Sequence, residues 1–454
     1  MTCVSGLARI AAAAALGFAL AGCSTYDLPT QPEAKLRVAG GGTVSVSSLS
    51  CRLDGSVVAA GVETSGINSL GGVLLRSADR GLHWEMLRPD AALRDVSPWF
   101  IEDPRDVNMA PRALYVTGYR NVGLITAAVM WAYSLGPWLV SRDDGKTWRP
   151  TDPLAPFAKS TRVEPDPQQV VQSDATGTLA FTRVAGWLNP FANSSVILVR
   201  SRDGGRTWQE SSLPGITNPP IGLLSDGRGR VVVVATSGSA SDAELVVLQS
   251  DDGGERWTET LRSKRAGGWW GIAGRVDGTL ILWNQGERTG RAYFVSSDGG
   301  RTWSGRAIGL WRPFRRVVSA GPGRWVALSV EPAGNEQEAI AWVSDDDGRT
   351  WTLRPTGIKR RKQYEAMGHA STLVSAGNGV LIAHAGGSRV ARSSDHGETW
   401  QLHDAALPDR DFGFNAHCTD GKGLVVLGGD YGLLTRTVDF GVTWQAGRIL
   451  DVLR

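Results

Sequence analysis

Residues that carry metal or redox chemistry are scarce in this sequence: of 454 residues, only four are cysteine and six are histidine. The histidines show none of the spacings that metal sites use. No glycine-rich loop opens a helix and no nucleophile-elbow motif occurs, so neither a phosphate cradle nor a serine hydrolase is indicated. The sequence therefore predicts no cofactor and no metal site.

Charge of one sign and long hydrophobic runs are also lacking. The chain carries 48 Lys and Arg against 45 Asp and Glu, a formal net charge of +3. This near balance argues against nucleic acid as a partner. The apolar run Ile10–Leu20 is shorter than the about 20 residues that a transmembrane helix needs. Because Arg9 precedes this run and small residues follow it, the run is typical of a secretory signal.

The end of that run, Leu20-Ala21-Gly22-Cys23, resembles the lipobox of bacterial lipoproteins. The resemblance implies that Cys23 is lipidated, and acyl chains anchor a protein by about 0.8 kcal/mol per buried methylene. The alternative is an ordinary secretory signal with an incidental cysteine. We expect residues 1–22 to be the signal peptide, 23–36 the lipidated cysteine and a flexible tether, and 37–454 the folded body. The implied location is the cell envelope, at the outer membrane, on either of its sides.

Glycine, tryptophan and one repeated octapeptide are abundant: the chain has 57 Gly and 18 Trp. The octapeptide reads Ser/Thr-x-Asp-x-Gly-x-Thr-Trp, with small variations. Its eight copies begin at Ser77, Ser141, Ser201, Ser250, Ser296, Ser344, Ser393 and Thr437. From the fourth copy on, the starts are 44 to 49 residues apart, and a fixed period of this size indicates a repeat architecture.

The pattern around each octapeptide predicts four short strands. In the seventh unit, the apolar stretches 371–375, 380–384 and 389–392 precede the octapeptide, and a fourth opens at Thr399. Four antiparallel strands per period of this length are typical of a propeller blade. The sequence therefore predicts an all-β fold, a single β-propeller of four-stranded blades. Eight blades are expected; seven is the alternative, because the second unit is irregular and carries an apolar insert, Val122–Trp138, that suits a lid or a hydrophobic contact surface.

The octapeptide resembles the Asp-box, or bacterial neuraminidase repeat, of the sialidase-like propellers, and the chain resembles their photosystem II assembly-factor-like branch. An aspartate there can accept backbone N–H groups across a loop, the glycine permits positive φ, and the tryptophan buries a large apolar area. The resemblance implies a structural role for the eight aspartates: Asp79, Asp143, Asp203, Asp252, Asp298, Asp346, Asp395 and Asp439.

Cys51 and Cys418 occupy matching positions in the first and last repeats. In a closed ring these repeats are neighbours, so a disulfide that staples the closure is predicted, and an exported location permits it. Two buried thiols are the alternative.

Strand alternation places the octapeptides on one face together with the turns between the first and second strands of each blade. The opposite face carries the loops between blades, which suit a binding surface because aromatic and arginine residues are frequent there. The alternative is that the tryptophans pack between blades. The candidate binding residues are Trp99, Arg105, Arg120, Trp187, Trp269, Trp270, Trp311, Arg315, Arg316, Tyr364 and Glu365.

Sialidase activity is not indicated, because the Arg-Ile-Pro motif of sialidases is missing from this sequence. Tyr364 and Glu365 are adjacent, so on a strand they would point to opposite sides. Nothing in the sequence brings Arg120, Arg316 and Arg389 together, and no catalytic residue is assigned. We therefore expect a lipid-anchored propeller that binds a protein or glycan partner at the envelope. The alternative is a glycoside hydrolase, sialidase-like or otherwise, with paired carboxylates in the central funnel.

Overall fold

The chain divides into Met1–Ala34, which lies outside the described residues, and Lys35–Arg454, whose fold is described below. The computed structural model describes residues 43–52, 54–65, 68–87, 96–101, 114–125, 130–135, 138–143, 145–151, 165–172, 178–184, 195–203, 206–211, 213–218, 220–238, 243–264, 270–275, 277–284, 292–307, 314–333, 336–361, 372–384, 389–406, 414–429 and 433–450.

The described strands form eight sheets, called blades 1 to 8 in chain order. Blade 1 contains β1 (Thr43–Cys51), β2 (Val57–Ser65), β3 (Asn68–Ser77) and β4 (His83–Leu87). Blade 2 contains β5 (Val96–Ile101), β6 (Leu114–Ile125), β7 (Met130–Leu135), β8 (Trp138–Ser141) and β9 (Arg149–Thr151). Blade 3 contains β10 (Pro165–Gln172), β11 (Thr178–Val184), β12 (Ser195–Ser201) and β13 (Gln209–Ser211).

The later blades are more regular. Blade 4 contains β14 (Gly222–Ser225), β15 (Val231–Ser237), β16 (Glu244–Ser250) and β17 (Thr258–Ser263). Blade 5 contains β18 (Trp270–Gly274), β19 (Leu280–Asn284), β20 (Ala292–Ser296) and β21 (Ser304–Ala307). Blade 6 contains β22 (Arg316–Gly321), β23 (Arg324–Ala333), β24 (Glu336–Ser344) and β25 (Thr352–Arg361).

The last two blades complete the set. Blade 7 contains β26 (Thr372–Gly377), β27 (Val380–His384), β28 (Arg389–Ser393) and β29 (Gln401–Asp404). Blade 8 contains β30 (Phe414–Thr419), β31 (Val425–Gly429), β32 (Leu434–Thr437) and β33 (Gln445–Ala446). The last strand, β34 (Arg448–Leu450), pairs in parallel with β4 and so joins blade 1.

The blades close into a ring through their first strands. Each first strand contacts that of the next blade, in the order β1, β5, β10, β14, β18, β22, β26 and β30, and β30 contacts β1 again. Within each blade the strands pair antiparallel. The prediction of an all-β propeller is therefore confirmed, with eight blades in the ring.

The core lies between neighbouring blades. The second strands are buried on both faces, so they read as continuous apolar runs rather than as alternating ones; Val231–Ala235 of β15 is buried throughout. Burying one such side chain contributes about 1.5–3 kcal/mol. The outer strands are polar instead, and all four residues of β21 are exposed. This polarity protects the open sheet edges.

The irregular second unit has a structural explanation. Much of the apolar insert Val122–Trp138 forms a hairpin: β6 runs past the point where it leaves β8 and pairs there with the additional strand β7. Blade 2 therefore keeps its four strands, and the insert adds a fifth to the same sheet.

Candidate functional site

Each octapeptide folds into a closed set of hydrogen bonds around its aspartate. In blade 5, Ser296 Oγ donates to Asp298 Oδ1 at 2.8 Å, and Gly300 N donates to Ser296 Oγ at 2.8 Å. Thr302 N donates to Asp298 Oδ1 at 2.9 Å and Thr302 Oγ1 to Oδ2 at 2.6 Å. Trp303 Nε1 donates to Gly300 O at 3.1 Å. Both carboxylate oxygens are thus occupied by groups of the same loop.

The seventh position of the octapeptide supplies a donor to the aspartate even where it is not threonine. In blade 1, His83 Nδ1 lies 2.6 Å from Asp79 Oδ2. In blade 4, Arg256 Nε donates to Asp252 Oδ2 at 2.8 Å. The position is therefore defined by a hydrogen bond rather than by a residue type.

The hydrogen bonds shift the carboxylates toward ionisation. Burial by itself raises the pKa of each octapeptide aspartate, but the bonds from the first and seventh residues outweigh burial and lower the pKa, to about 2 for Asp79. The pKa is lowered in the same way for the other seven, Asp143, Asp203, Asp252, Asp298, Asp346, Asp395 and Asp439.

The octapeptides also join neighbouring blades, because the fifth-position glycine packs on the second strand of the preceding blade. A Cβ on Gly397 would lie 2.7 Å from Val326 Cγ2, and one on Gly441 would lie 2.8 Å from Ile382 Cδ1. The ring closure uses the same contact, with 3.2 Å between a Cβ on Gly81 and Val426 Cγ2.

Arginines add polar links between blades on the octapeptide face. Arg392 Nε of blade 7 donates to Phe440 O of blade 8 at 2.7 Å. At the closure, Arg436 Nη1 donates to Asp79 O at 2.9 Å and to Arg80 O at 3.1 Å. The turn between the first and second strands lies on this face too, since His396 N donates to the turn carbonyl of Gly379 at 3.0 Å. These bonds hold the scaffold together.

The ring closure contains a disulfide. The Sγ atoms of Cys51 in β1 and Cys418 in β30 are 2.06 Å apart, across a sequence separation of 367 residues. Cys418 lies in the apolar core between blades 8 and 1, and Cys51 packs against that core.

Most of the candidate binding residues predicted for the opposite face have no described side chain. Trp99 lies on β5 and Arg120 on β6, and only their backbone is described. Six candidates lie outside the described residues: Arg105, Trp187, Trp269, Trp311, Tyr364 and Glu365.

Three candidates have described side chains, and the prediction for one of them was wrong. Trp270 is only 4 % exposed and packs 5.9 Å from Phe294, ring centre to ring centre, so it belongs to the core between blades 4 and 5. Arg315 and Arg316 are exposed at the start of β22, a first strand. Arg315 and Arg316 are therefore the two candidate binding residues whose side chains are described and exposed.

A further residue, His417, is influenced by the charge of Arg316. Burial, followed by the positive charge of Arg316, lowers the pKa of His417 to about 4. Both residues lie on first strands, β30 and β22, which surround the ring centre. The sequence carried no signal for this pair, because the two residues are about a hundred positions apart and on different blades.

Arg389, which was considered together with Arg316 from the sequence, does not lie on a first strand. Arg389 begins β28, a third strand, and its Cα lies opposite that of Asp404. Arg316 therefore lies on a first strand and Arg389 on a third strand, and these positions do not bring the two together in an arginine triad.

Metal ligands and membrane-spanning helices can be assessed for the described part of the chain only. That part contains no group of three or more His, Cys, Asp or Glu side chains placed to hold a metal ion. Nor do the described residues include a helix whose length and apolar character would let it cross a membrane.

No protein-family model and no curated protein matches the chain. Among solved structures it is similar to YCF48 bound to D1 peptide, at 14 % identity over 75 % of this chain and 93 % of the other, with a TM-score of 0.47. It is also similar to a PL25 ulvan lyase, at 10 % identity over 82 % and 96 %, TM-score 0.44. The GH74 xyloglucanase of Xanthomonas campestris matches at 17 % over 92 % and 71 %, TM-score 0.30.

Proposed function

We propose that this chain is a binding or assembly propeller without enzymatic activity, which recognises a protein or glycan partner through the face opposite its octapeptides. The observation that carries the proposal is the exposed arginine pair Arg315 and Arg316 at the start of β22, a first strand of the ring.

The exposed pair Arg315 and Arg316 supports the choice of face. Arginine forms bidentate bonds with carboxylates and stacks on planar groups, which makes it frequent at interfaces. Trp187, Trp269 and Trp311 are proposed as the aromatic part of the same surface, on the basis of their predicted loop positions alone. Trp99 is proposed for it from its place on the first strand β5.

The proposal also includes a membrane anchor. It further includes membership of the Asp-box propellers, which rests on the octapeptide pattern alone. Lipidation of Cys23 would tie the propeller to the outer membrane and raise its local concentration near an envelope partner. Fully extended at 3.3–3.6 Å per residue, the predicted tether of residues 23–36 would reach at most roughly 50 Å. That reach lets the partner face turn toward or away from the membrane.

The test is capture of a partner from detergent-solubilised envelope by the full chain and by an Arg315→Ala/Arg316→Ala variant. Arg306→Ala, on the exposed outer strand β21, is the matched control. We expect one partner to be retained by the wild type and the control and lost by the double variant. Equal capture by all three would place the partner elsewhere. Turnover of a fluorogenic glycoside without a partner would replace the proposal by a hydrolase.

A further inference from the structure

The hairpin formed by β6 and β7 projects from the face of the propeller opposite the octapeptides, the partner face. β6 starts at Leu114, whose Cα pairs with that of Ser141 at the beginning of the second octapeptide. It runs away from the octapeptide face and passes Arg120, which pairs with Val96, the first residue of the first strand β5. β6 ends only at Ile125, so at about 3.3 Å per residue the hairpin reaches about 16 Å beyond the start of β5.

Four other blades have no such projection. In blades 3, 5, 7 and 8 the last residue of the second strand pairs with the first residue of the first strand. Blade 6 has a hairpin of similar length, because β23 continues from Leu328, opposite Arg316, to Ala333. That hairpin carries three carboxylate residues: Glu331, Glu336 and Glu338. The hairpin of blade 2 is therefore distinguished by its composition as well as by its length.

The sequence of the blade 2 hairpin lacks charge. No Asp, Glu, Lys, Arg or His occurs from position 121 to position 141. The outermost cross-strand pairs are apolar: Leu124 lies opposite Trp131, and Ile125 lies opposite Met130. Because successive positions of a strand alternate between the two faces of a sheet, one of these pairs lies on each face of the hairpin. β7 contacts β10 of blade 3, but a neighbouring blade can cover only one of the two faces, so the other needs a further apolar partner.

The partner face also carries exposed positive charge and the start of the first described strand. Arg315 and Arg316 are exposed at the beginning of β22. Thr43, the first residue of β1, pairs with Thr64 near the end of β2, so the chain enters the ring on this same face. A membrane interface matches these features, because it takes up apolar and aromatic side chains and its anionic lipids attract arginine.

We propose that the β6–β7 hairpin is a membrane-contact element, which binds the headgroup region of an anionic lipid surface with its apolar residues. Arg315 and Arg316 add electrostatic attraction on the same face. The inference rests on the proposed location at the outer membrane and adds an orientation to it: acyl chains on Cys23 give proximity alone, whereas the hairpin turns the partner face toward the bilayer. A protein or glycan partner is then recognised at the membrane surface.

Vesicle binding by the chain from Ser24 on, which keeps every described strand and has no acyl group, tests the proposal. The vesicles contain phosphatidylethanolamine and phosphatidylglycerol, and co-flotation gives the apparent Kd. Met130→Ala/Trp131→Ala should weaken binding about 10- to 100-fold, because interfacial binding scales with the apolar area buried. The matched control, Leu353→Ala/Leu402→Ala, should bind as the wild type does, since it removes two exposed apolar side chains from the outer strands β25 and β29.

A gain of signal tests the contact without depending on a loss of binding. Met130→Cys gives this chain a single reactive thiol, because Cys51 and Cys418 are bonded to each other. An environment-sensitive dye on this thiol should shift its emission to the blue when vesicles are added, and the same dye on Leu353→Cys should not. The proposal is overturned if the wild type does not bind these vesicles, or if Met130→Ala/Trp131→Ala binds them as tightly as the wild type does.

Partner capture in detergent separates this inference from the proposed function. Met130→Ala/Trp131→Ala should still capture the envelope partner there, because no bilayer is present. Vesicle binding without any captured partner would support the hairpin contact and contradict the proposed function. Loss of the partner by this variant in detergent would assign the hairpin to a protein interface and overturn the lipid contact.

Discussion

At the residue scale, each octapeptide aspartate is a local organiser whose two oxygens have different partners. Asp346 Oδ1 accepts backbone N–H groups of Arg349 and Thr350 at 2.9 and 2.8 Å, and Oδ2 accepts the hydroxyl of Thr350 at 2.7 Å. The loop keeps its shape because these bonds replace those that the chain would make with water.

Asp346→Asn should destabilise the fold. The amide cannot accept on both sides, so one donor loses its partner, at a cost of about 1–3 kcal/mol. Asp345→Asn is the control, because its side chain is 66 % exposed and its ion pair with Arg324 is worth at most about 1 kcal/mol. Urea unfolding measures both variants; equal stability would show that the aspartate bonds contribute nothing net.

The partly buried His417 predicts a pH dependence. Its pKa in the folded chain, about 4, lies below the ordinary value of 6.5. Between these values the unfolded chain binds the proton and the folded chain does not, so stability falls as the pH drops from 6.5 toward 4. The free energy of unfolding of His417→Gln should change less over this window than that of the wild type. If the free energies of unfolding of the two proteins change equally with pH, His417 is not the group responsible.

A second window follows from Asp79, whose pKa is lowered from 3.8 to about 2. Its stabilisation is present above pH 4 and is lost as the pH falls toward 2, because the unfolded chain then binds more protons. Asp79→Asn should reduce the loss of stability in this lower window and leave the window of His417 unchanged. Acid-induced unfolding, monitored by tryptophan fluorescence, distinguishes the pH windows of Asp79 and His417.

At the scale of the element, the octapeptide loop is the joint between blades. Its glycine adopts positive φ and touches the second strand of the preceding blade, so one residue serves both the turn and the packing. The sequence pattern explained the first role of this glycine, since the turn is local. The second role depends on a strand about 60 residues earlier, as for Gly441 and Ile382.

Gly441→Ala should be clearly destabilising. The left-handed conformation, φ +80°, costs an alanine about 1–2 kcal/mol, and a Cβ 2.8 Å from Ile382 Cδ1 adds an overpacking cost of about 1–3 kcal/mol. Gly305→Ala on the outer strand β21 is the control; its φ is not in that region and its nearest contact is 3.3 Å. If the two variants unfold at the same midpoint, the octapeptide glycine does not stabilise the contact between blades.

At the scale of the whole molecule, a ring must be closed where the chain ends meet. The contacts that do this between blades 8 and 1 include the Cys51–Cys418 disulfide, the pairing of β34 with β4, and the bonds from Arg436 to the Asp79 and Arg80 carbonyls. The closure therefore does not depend on one bond alone.

Reduction of the disulfide should lower the free energy of unfolding by about 2–5 kcal/mol, because the link restricts a long loop of the unfolded chain. The ring should stay folded, since the strand pairing and the Arg436 bonds remain. Thermal unfolding with and without reductant measures this, and Cys51→Ser/Cys418→Ser, which should not respond to reductant, is the control. An unchanged wild-type midpoint would argue against the link.

The sequence by itself determined what depends on local pattern: the four-stranded unit, its eight copies, and the turn chemistry of the octapeptide. These follow from spacing and residue type within about 45 positions. Tertiary structure alone decided which tryptophans are core, as with Trp270, and that the charge of Arg316 influences His417. It also decided that Gly441 packs against Ile382 of the preceding blade. Each of these depends on which blades become neighbours. The local sequence around a residue does not show which residues pack against it.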